Sequence, residues 1–273
     1  MLLHTPPSSS DLPIDTAQVR HFFSSRPHAA DPDFLSREVA GRMGDRLSLL
    51  REKETASVLS VGCGFADVSF LQARFPRARI IGVDGMGSGT MVSAPDRLCA
   101  DLANLPFADA SVEVLWSNMA LHWHSSPARV LAEWRRVLRE DGALFFSCLG
   151  GETLIQLREA FAQVDAYPHI LPFLNLHTLG DMLVSAGFPS PVLDRETLTL
   201  TYTSVDHLFA EVRVLGCLAH KDRRRGLMGR AAWQRVQRCL QDLGNARGTI
   251  PLRVDILHGH AFCSREAQGP HRR

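Results

Sequence analysis

Apolar and polar positions in the first half of the chain follow two rhythms in turn. Short apolar runs recur at Val58–Val61, Arg79–Val83, Arg97–Ala100, Val112–Trp116 and Ala143–Cys148. Runs of that length and continuity predict strands buried on both faces. Between them the spacing becomes helical. Leu35, Val39, Met43, Leu47 and Leu50 form one stripe over Phe34–Leu50, a second pattern runs from Phe65 to Phe75 and stops at Pro76, and a third from Pro127 to Leu138 opens on its proline and is closed by Asp141-Gly142. Strands alternating with helices predict an α/β fold with a parallel sheet. A shorter helical pattern, Asp15–Arg26, precedes them and carries Val19, Phe22 and Phe23.

Beyond Cys148 the alternation loosens. Helical patterns cover Gly151–Val164, His177–Ala186, Val205–Leu218 and Arg230–Leu243. Val192–Tyr202 alternates as a strand, with Leu198, Leu200 and Tyr202 on one face and Thr197, Thr199 and Thr201 on the other, and Pro251–Phe262 closes the chain's regular structure. The domain reading is a flexible tail and short helix over 1–33, one domain over 34–263, and a tail over 264–273. Segments about 150–191 and 204–243 are expected to cap the crevice at the sheet's C-terminal edge.

The candidate chemistry gathers at that edge, where ligands of open α/β sheets lie. Val58–Val61 runs into Gly62-Cys63-Gly64 and then a helix. Glycines there let the backbone turn sharply and let a ligand approach without meeting a Cβ. The second strand ends on Asp84, about 20 residues past the glycines, the place of an acid that holds ribose hydroxyls. Asp67 stands where a dinucleotide fingerprint has its third glycine. A carboxylate repels a diphosphate and attracts a sulfonium or an amino group, so the pattern favours S-adenosylmethionine. Asp101, after the third strand, is a candidate acceptor for an adenine amino group, with the neighbouring Leu102 amide meeting a ring nitrogen; the same residue type also favours a turn or cap. Ser117 and Asn118 end the fourth strand at the same crevice, and His122 and Trp123 follow. The segment after Asp84, with three glycines in GMGSG, is too short and too glycine-rich for an ordinary crossover helix, with at most two helical turns near Thr90–Ser93.

Composition narrows the setting. The 273 residues are 45% hydrophobic and 22% charged, as in ordinary soluble domains. Lys and Arg number 30 against 29 Asp and Glu, so the whole molecule has no bias toward nucleic acid or membrane. Six cysteines without a C-x-x-C, and histidines without ligand spacing, argue against a zinc site or disulfide framework and for a reducing cytoplasm. No metal is expected. The first residues, MLLHTPPSSSDLP, lack the basic start and apolar core of a signal peptide.

With these residues laid out, the chain resembles class I S-adenosylmethionine-dependent methyltransferases, and within them the malonyl-acyl-carrier-protein O-methyltransferases of biotin synthesis. The resemblance rests on Phe34–Arg46, VGCG at 61–64, LPFADASVEVLWSNMALHW at 105–123 and TLIQLREAFAQVDAYPHILPF at 153–173, and is extended by RVLG at 213–216 and IPLRVDILHGHAF at 250–262. It implies a Rossmann-like doubly wound sheet with a helical cap, S-adenosylmethionine over Gly62 and Gly64, and methyl esterification of a malonyl carboxylate. His122, Trp123, His169 and Arg213 are then candidates to line the substrate. Carrier proteins are acidic, so Lys221, Arg223, Arg224, Arg225 and Arg230 are candidates to dock one; the other reading of that run is a solvated loop. A methyltransferase-like assembly factor of mitochondrial complex I, thought to hydroxylate an arginine, shares LHW and PH-x-x-PF. Ala66 replaces the family's usual third glycine and the crossover after Asp84 is shorter than usual, which leaves open a non-catalytic scaffold as well.

Overall fold

The five short apolar runs become the parallel part of one sheet. The computed structural model describes residues 11–24, 34–50, 55–62, 65–85, 96–245 and 248–263. Its strands are β1 (Ser57–Val61), β2 (Arg79–Asp84), β3 (Arg97–Cys99), β4 (Val112–Ser117), β5 (Leu138–Leu149), β6 (Val192–Tyr202) and β7 (Ile250–Phe262). They lie in the order β3-β2-β1-β4-β5-β7-β6. β1 pairs in parallel with β2 and β4, setting Ser60 beside both Gly82 and Trp116, while β7 runs antiparallel between β5 and β6. The doubly wound α/β expectation holds.

Helices cover both faces. α2 (Phe34–Gly44) and α3 (Phe65–Arg74) bury Met43 and Leu71 against Val58, Trp116 and Phe145. On the other face α4 (Pro127–Val137) and α6 (Leu176–Ser185) bury Trp134, Leu179 and Leu183 against Leu59, Leu115 and Phe146. A third cluster packs on β6 and β7. There α1 (Thr16–Ser24), α5 (Ile155–Ala162), α7 (Val205–Val214) and α8 (Arg230–Gln241) gather Val19, Leu157, Val212 and Val236 around Trp123 and Phe173.

Several expectations need correction. The segment 150–191 is not all cap: α6 packs beside α4 and β6 as a sheet-flanking helix, because Leu179 and Leu183 are its apolar stripe. Residues 11–14 are not a flexible tail, whereas the short helix expected over Asp15–Arg26 is present as α1. Ile14 forms a bridge with His220, the Leu12 N–H donates to Ser125 O (2.6 Å), the Lys221 N–H to Pro13 O (2.9 Å), and Ile14 and Val19 are fully buried. The helix expected from Gly151 starts at Ile155. Thr153 is tied to Asp255 through both the strand's N–H and C=O, and Leu154 takes a left-handed φ of 57°. α7 stops at Val214 rather than Leu218, since Gly216 turns at φ 61° against the Trp123 ring, where a Cβ would sit 2.3 Å from a ring carbon. β5 begins at Leu138 and takes in Asp141-Gly142, which therefore does not cap α4. The stripe over Phe34–Leu50 is interrupted at Asp45, where a 3-10 turn, Asp45–Leu49, replaces the α-helix. The shortened crossover after Asp84 lies outside the described residues.

Candidate functional site

Three neighbouring strand ends meet where the glycine turn begins. The Gly62 N–H donates to Val83 O (2.7 Å) and the Ala100 N–H to Asp84 O (3.3 Å). Parallel pairing therefore brings Gly62, Asp84 and the start of Asp101-Leu102 to one edge. Gly62 has φ 73°, and a Cβ on it would lie 2.1 Å from the Ala120 Cβ. Only glycine satisfies both the turn and that close approach. The contact joins the glycine turn to the segment after β4. Gly64 and Cys63 lie outside the described residues.

Asp67, from the first turn of α3, is buried at 2% exposure. Its Oδ1 accepts from Trp116 Nε1 (3.2 Å) and from Asn118 Nδ2 (3.0 Å). Asn118 also donates from Nδ2 to Ser36 O (2.8 Å), and its Oδ1 accepts from Ser147 Oγ (2.7 Å). Its amide thus knots α2, α3, β4 and β5 beneath the site. Ser147 Oγ in turn accepts from the Met119 N–H (3.0 Å), and Met119 sits at φ 52°, a left-handed conformation that is uncommon for such a side chain. Ser117 Oγ at the end of β4 and Ser60 Oγ on β1 are both buried with no hydrogen-bond partner among the described residues.

Asp84 is buried at the end of β2, whereas Asp101 keeps a side chain that is 59% exposed. Asp101 Oδ1 accepts from the Ala103 N–H (2.9 Å) and meets His124 Nε2 at 3.0 Å. Partial burial pushes its carboxyl up, but the Ala103 N–H, His124 and Arg129 outweigh that and hold it below the usual carboxylate range. Asp101 is an ionised acceptor.

Beyond Ala120 the surroundings turn apolar. A 3-10 turn, Leu121–Trp123, buries all three of its residues. The His122 ring lies 4.7 Å from Trp123 and 6.0 Å from Phe173, and burial pushes its imidazole down to about 3. Trp123 Nε1 donates to Met119 O (3.0 Å), and its ring stacks on Phe22 at 6.0 Å. His169 stacks on Phe161 at 4.0 Å, and its Nε2 meets Asp165 Oδ1 at 2.8 Å. His122 and His169 thus border one aromatic cluster. Arg213 does not join them inside it; it lies exposed on the last turn of α7.

The basic run divides. Arg223 pairs with Asp15 (2.8 Å) and Arg224 with Asp165 (3.1 Å), while Lys221, Arg225 and Arg230 are exposed. Residue patterns alone missed His124, Asp165, Ser147 and the Ser36 carbonyl. Asp165 was findable, because it stands four residues before His169. Ser147 and Ser36 carried no signal, since only the tertiary fold brings them to Asn118.

Sheet order, glycine turn and acid-tipped strands together define a class I S-adenosylmethionine-dependent methyltransferase. The family model described as a methyltransferase domain matches residues 59–146. The YcgJ protein of Bacillus subtilis has a similar fold at a TM-score of 0.57 and 16% identity, over 81% of this chain and 97% of that one. Curated relatives are much more similar in sequence. The malonyl-acyl-carrier-protein O-methyltransferase of Laribacter hongkongensis is 38% identical over 95% of this chain and 92% of its own length. That of a Methylovorus species is 37% identical, over 91% of this chain and 89% of its own. The chain belongs to the malonyl-acyl-carrier-protein O-methyltransferase family.

Proposed function

We propose that the chain methylates the free carboxylate of a malonyl group carried on acyl carrier protein, at the entry to biotin synthesis. The observation that carries this reading is that the buried titratable side chains His122, Cys148 and Cys217 are poor proton acceptors. Burial brings the His122 imidazole down to about 3, so it holds an added proton poorly. The buried thiols of Cys148 and Cys217 are pushed up to about 12. An alcohol or ammonium nucleophile would have to pass its proton to a better acceptor than these, whereas a carboxylate arrives ionised at neutral pH.

The residues at the strand ends suit a sulfonium nucleoside. Carboxylates at 67, 84 and 101 oppose a diphosphate, and two buried hydroxyls, Ser60 and Ser117, lie at the same edge without partners among the described residues. Asp84 is assigned to the ribose hydroxyls, Asp101 with the Leu102 amide to the adenine, and Gly62, Ser117 and Asn118 to the walls between them. When bound, S-adenosylmethionine supplies a methyl group on a positively charged sulfur. The chain's own residues bring the partners into line and keep water out. Opposite charges cancel as such a transfer proceeds, so an aromatic enclosure of Trp123, Phe161 and Phe173 favours it. The exposed cations Lys221, Arg225 and Arg230 are assigned to an acidic carrier.

Labelled cofactor offered with malonyl- and succinyl-carrier protein tests the assignment. Label is expected in a base-labile ester on the malonyl form, and the gene is expected to rescue a biotin auxotroph lacking this step. Label in an amine or ring, or none in either carrier protein, would sink the reading.

A further inference from the structure

The His124 ring has both nitrogens accounted for. Its Nδ1 accepts from the Ser126 N–H (3.0 Å), so that nitrogen carries the lone pair. The proton of the neutral ring is therefore on Nε2, which lies 3.0 Å from Asp101 Oδ1 and donates to it. The ring's own place is set by backbone on both sides. The His124 N–H closes the 3-10 turn on Leu121 O (3.2 Å), and Ser126 opens α4. Only 15% of the His124 side chain is exposed, against 59% for Asp101. A rigid, mostly buried ring thus holds an exposed carboxylate.

The second donor to Asp101 comes from its own turn. The Ala103 N–H reaches the same Oδ1, and the Asn104 N–H donates to the Asp101 backbone oxygen (2.9 Å). Both side-chain bonds converge on Oδ1, and the other carboxylate oxygen takes no part in them. A carboxylate held by one oxygen cannot swing, so its second oxygen has a defined direction.

We propose that His124 is a positioning residue for base recognition: by fixing Asp101 through Oδ1, it lets the second oxygen select a 6-amino purine against a 6-oxo purine. The inference rests on the assignment of Asp101 to the adenine amino group. An amino group donates to that oxygen, whereas an oxo group presents lone pairs to it. A fixed acceptor enforces the difference; one free to rotate relaxes it.

The test is calorimetry with two probes, S-adenosylhomocysteine and S-inosylhomocysteine, which differ at the purine 6-position. The unmodified protein is expected to prefer the amino form by roughly 10- to 100-fold, the scale of a charged hydrogen bond. His124→Ala is expected to lower that ratio by about threefold to tenfold, with S-inosylhomocysteine affinity little changed. His124→Gln, which restores a donor, is expected to return most of it. A ring that merely packs would weaken both probes alike and leave the ratio in place. Asp101→Ala separates the two layers of the argument. If it leaves the ratio unchanged, the adenine assignment fails, and this inference with it. If it abolishes the ratio while His124→Ala keeps it in full, the assignment stands and the role of His124 is overturned. Should His124→Ala not fold, His124→Phe keeps the ring's bulk without the donor and reads the same ratio.

Discussion

At the ends of β1, β2 and β3 the site is made of backbone turns and carboxylates; beyond Ala120 it is made of aromatic rings and a histidine held neutral. The first region is polar and knotted by Asp67, Asn118 and Ser147 across four elements. The second is a hydrophobic cluster drawn from α1, α5, α7, α8 and β7. On the proposed function, a methyl donor carrying positive charge is assigned to the first and a reaction in which charge disappears to the second. The division predicts that damage to the strand ends appears in cofactor affinity, and damage beyond Ala120 appears in stability and its pH dependence.

The largest effect is expected at the junction of the two regions. Gly62→Ala combines a left-handed φ of 73° with a methyl 2.1 Å from the Ala120 Cβ. Strain and overpacking together amount to roughly 2–5 kcal/mol. Calorimetry and urea unfolding should show both cofactor affinity and stability falling. Retention of both would mean that the turn yields and does not join the regions. Asp84→Ala isolates the polar region. Cofactor binding is expected to weaken by roughly 1–3 kcal/mol, the scale of a lost charged hydrogen bond, and unchanged affinity would remove its ribose role.

That asymmetry also explains what could be read from the residues alone. Gly62, Asp84 and Asp101 each stand directly after an apolar run, and a parallel sheet brings all such ends to one edge, so their place followed from local pattern. The alternation of strands and helices, and with it the doubly wound α/β class, was legible for the same reason; the order of strands across the sheet was not. The aromatic region was not. Phe22, Trp123, Phe161 and Phe173 come from four separate segments, and no periodicity says that they meet. The strap over 11–14 was misread as tail because its attachments are backbone hydrogen bonds to Ser125 and Lys221, which leave no mark on residue type. Cap and sheet were confused at α6, since an amphipathic helix carries one apolar stripe whichever surface it covers.

Acid should strike the aromatic region first. Unfolded, the His122 imidazole takes up a proton near its ordinary 6.5, while in the folded protein burial keeps it neutral down to about 3. Between those values the unfolded chain binds the extra proton, so stability is full above 6.5 and falls as pH drops. From pH 6.5 to 5 the loss is roughly 2 kcal/mol from this group. His258, brought down to about 4 mainly by burial, acts in the same direction. Melting followed across this window should show His122→Phe with a shallower acid limb than the unmodified protein. Equal slopes would mean that His122 is not a buried neutral base, and the contrast between the regions would lose its electrostatic part.

The smallest effect is expected at the surface, where the basic run allows a comparison within itself. Arg223 and Arg224 face inward to Asp15 and Asp165, and Asp165 also holds His169, so these two arginines belong to the fold of the aromatic region. Lys221, Arg225 and Arg230 are exposed, with Leu227 between them at 96% exposure. Replacing the three exposed cations with Gln should leave the melting temperature and turnover of a small malonyl thioester unchanged. For the carrier-bound substrate, kcat/KM is expected to fall by about tenfold at low ionic strength, with the difference shrinking as salt is raised. Arg224→Gln should do the opposite, lowering stability by roughly 1 kcal/mol or less, as for a partly exposed pair, with little added salt dependence. If both sets changed the carrier reaction alike at all salt concentrations, the run would act as one structural loop, and docking would have to lie on another face.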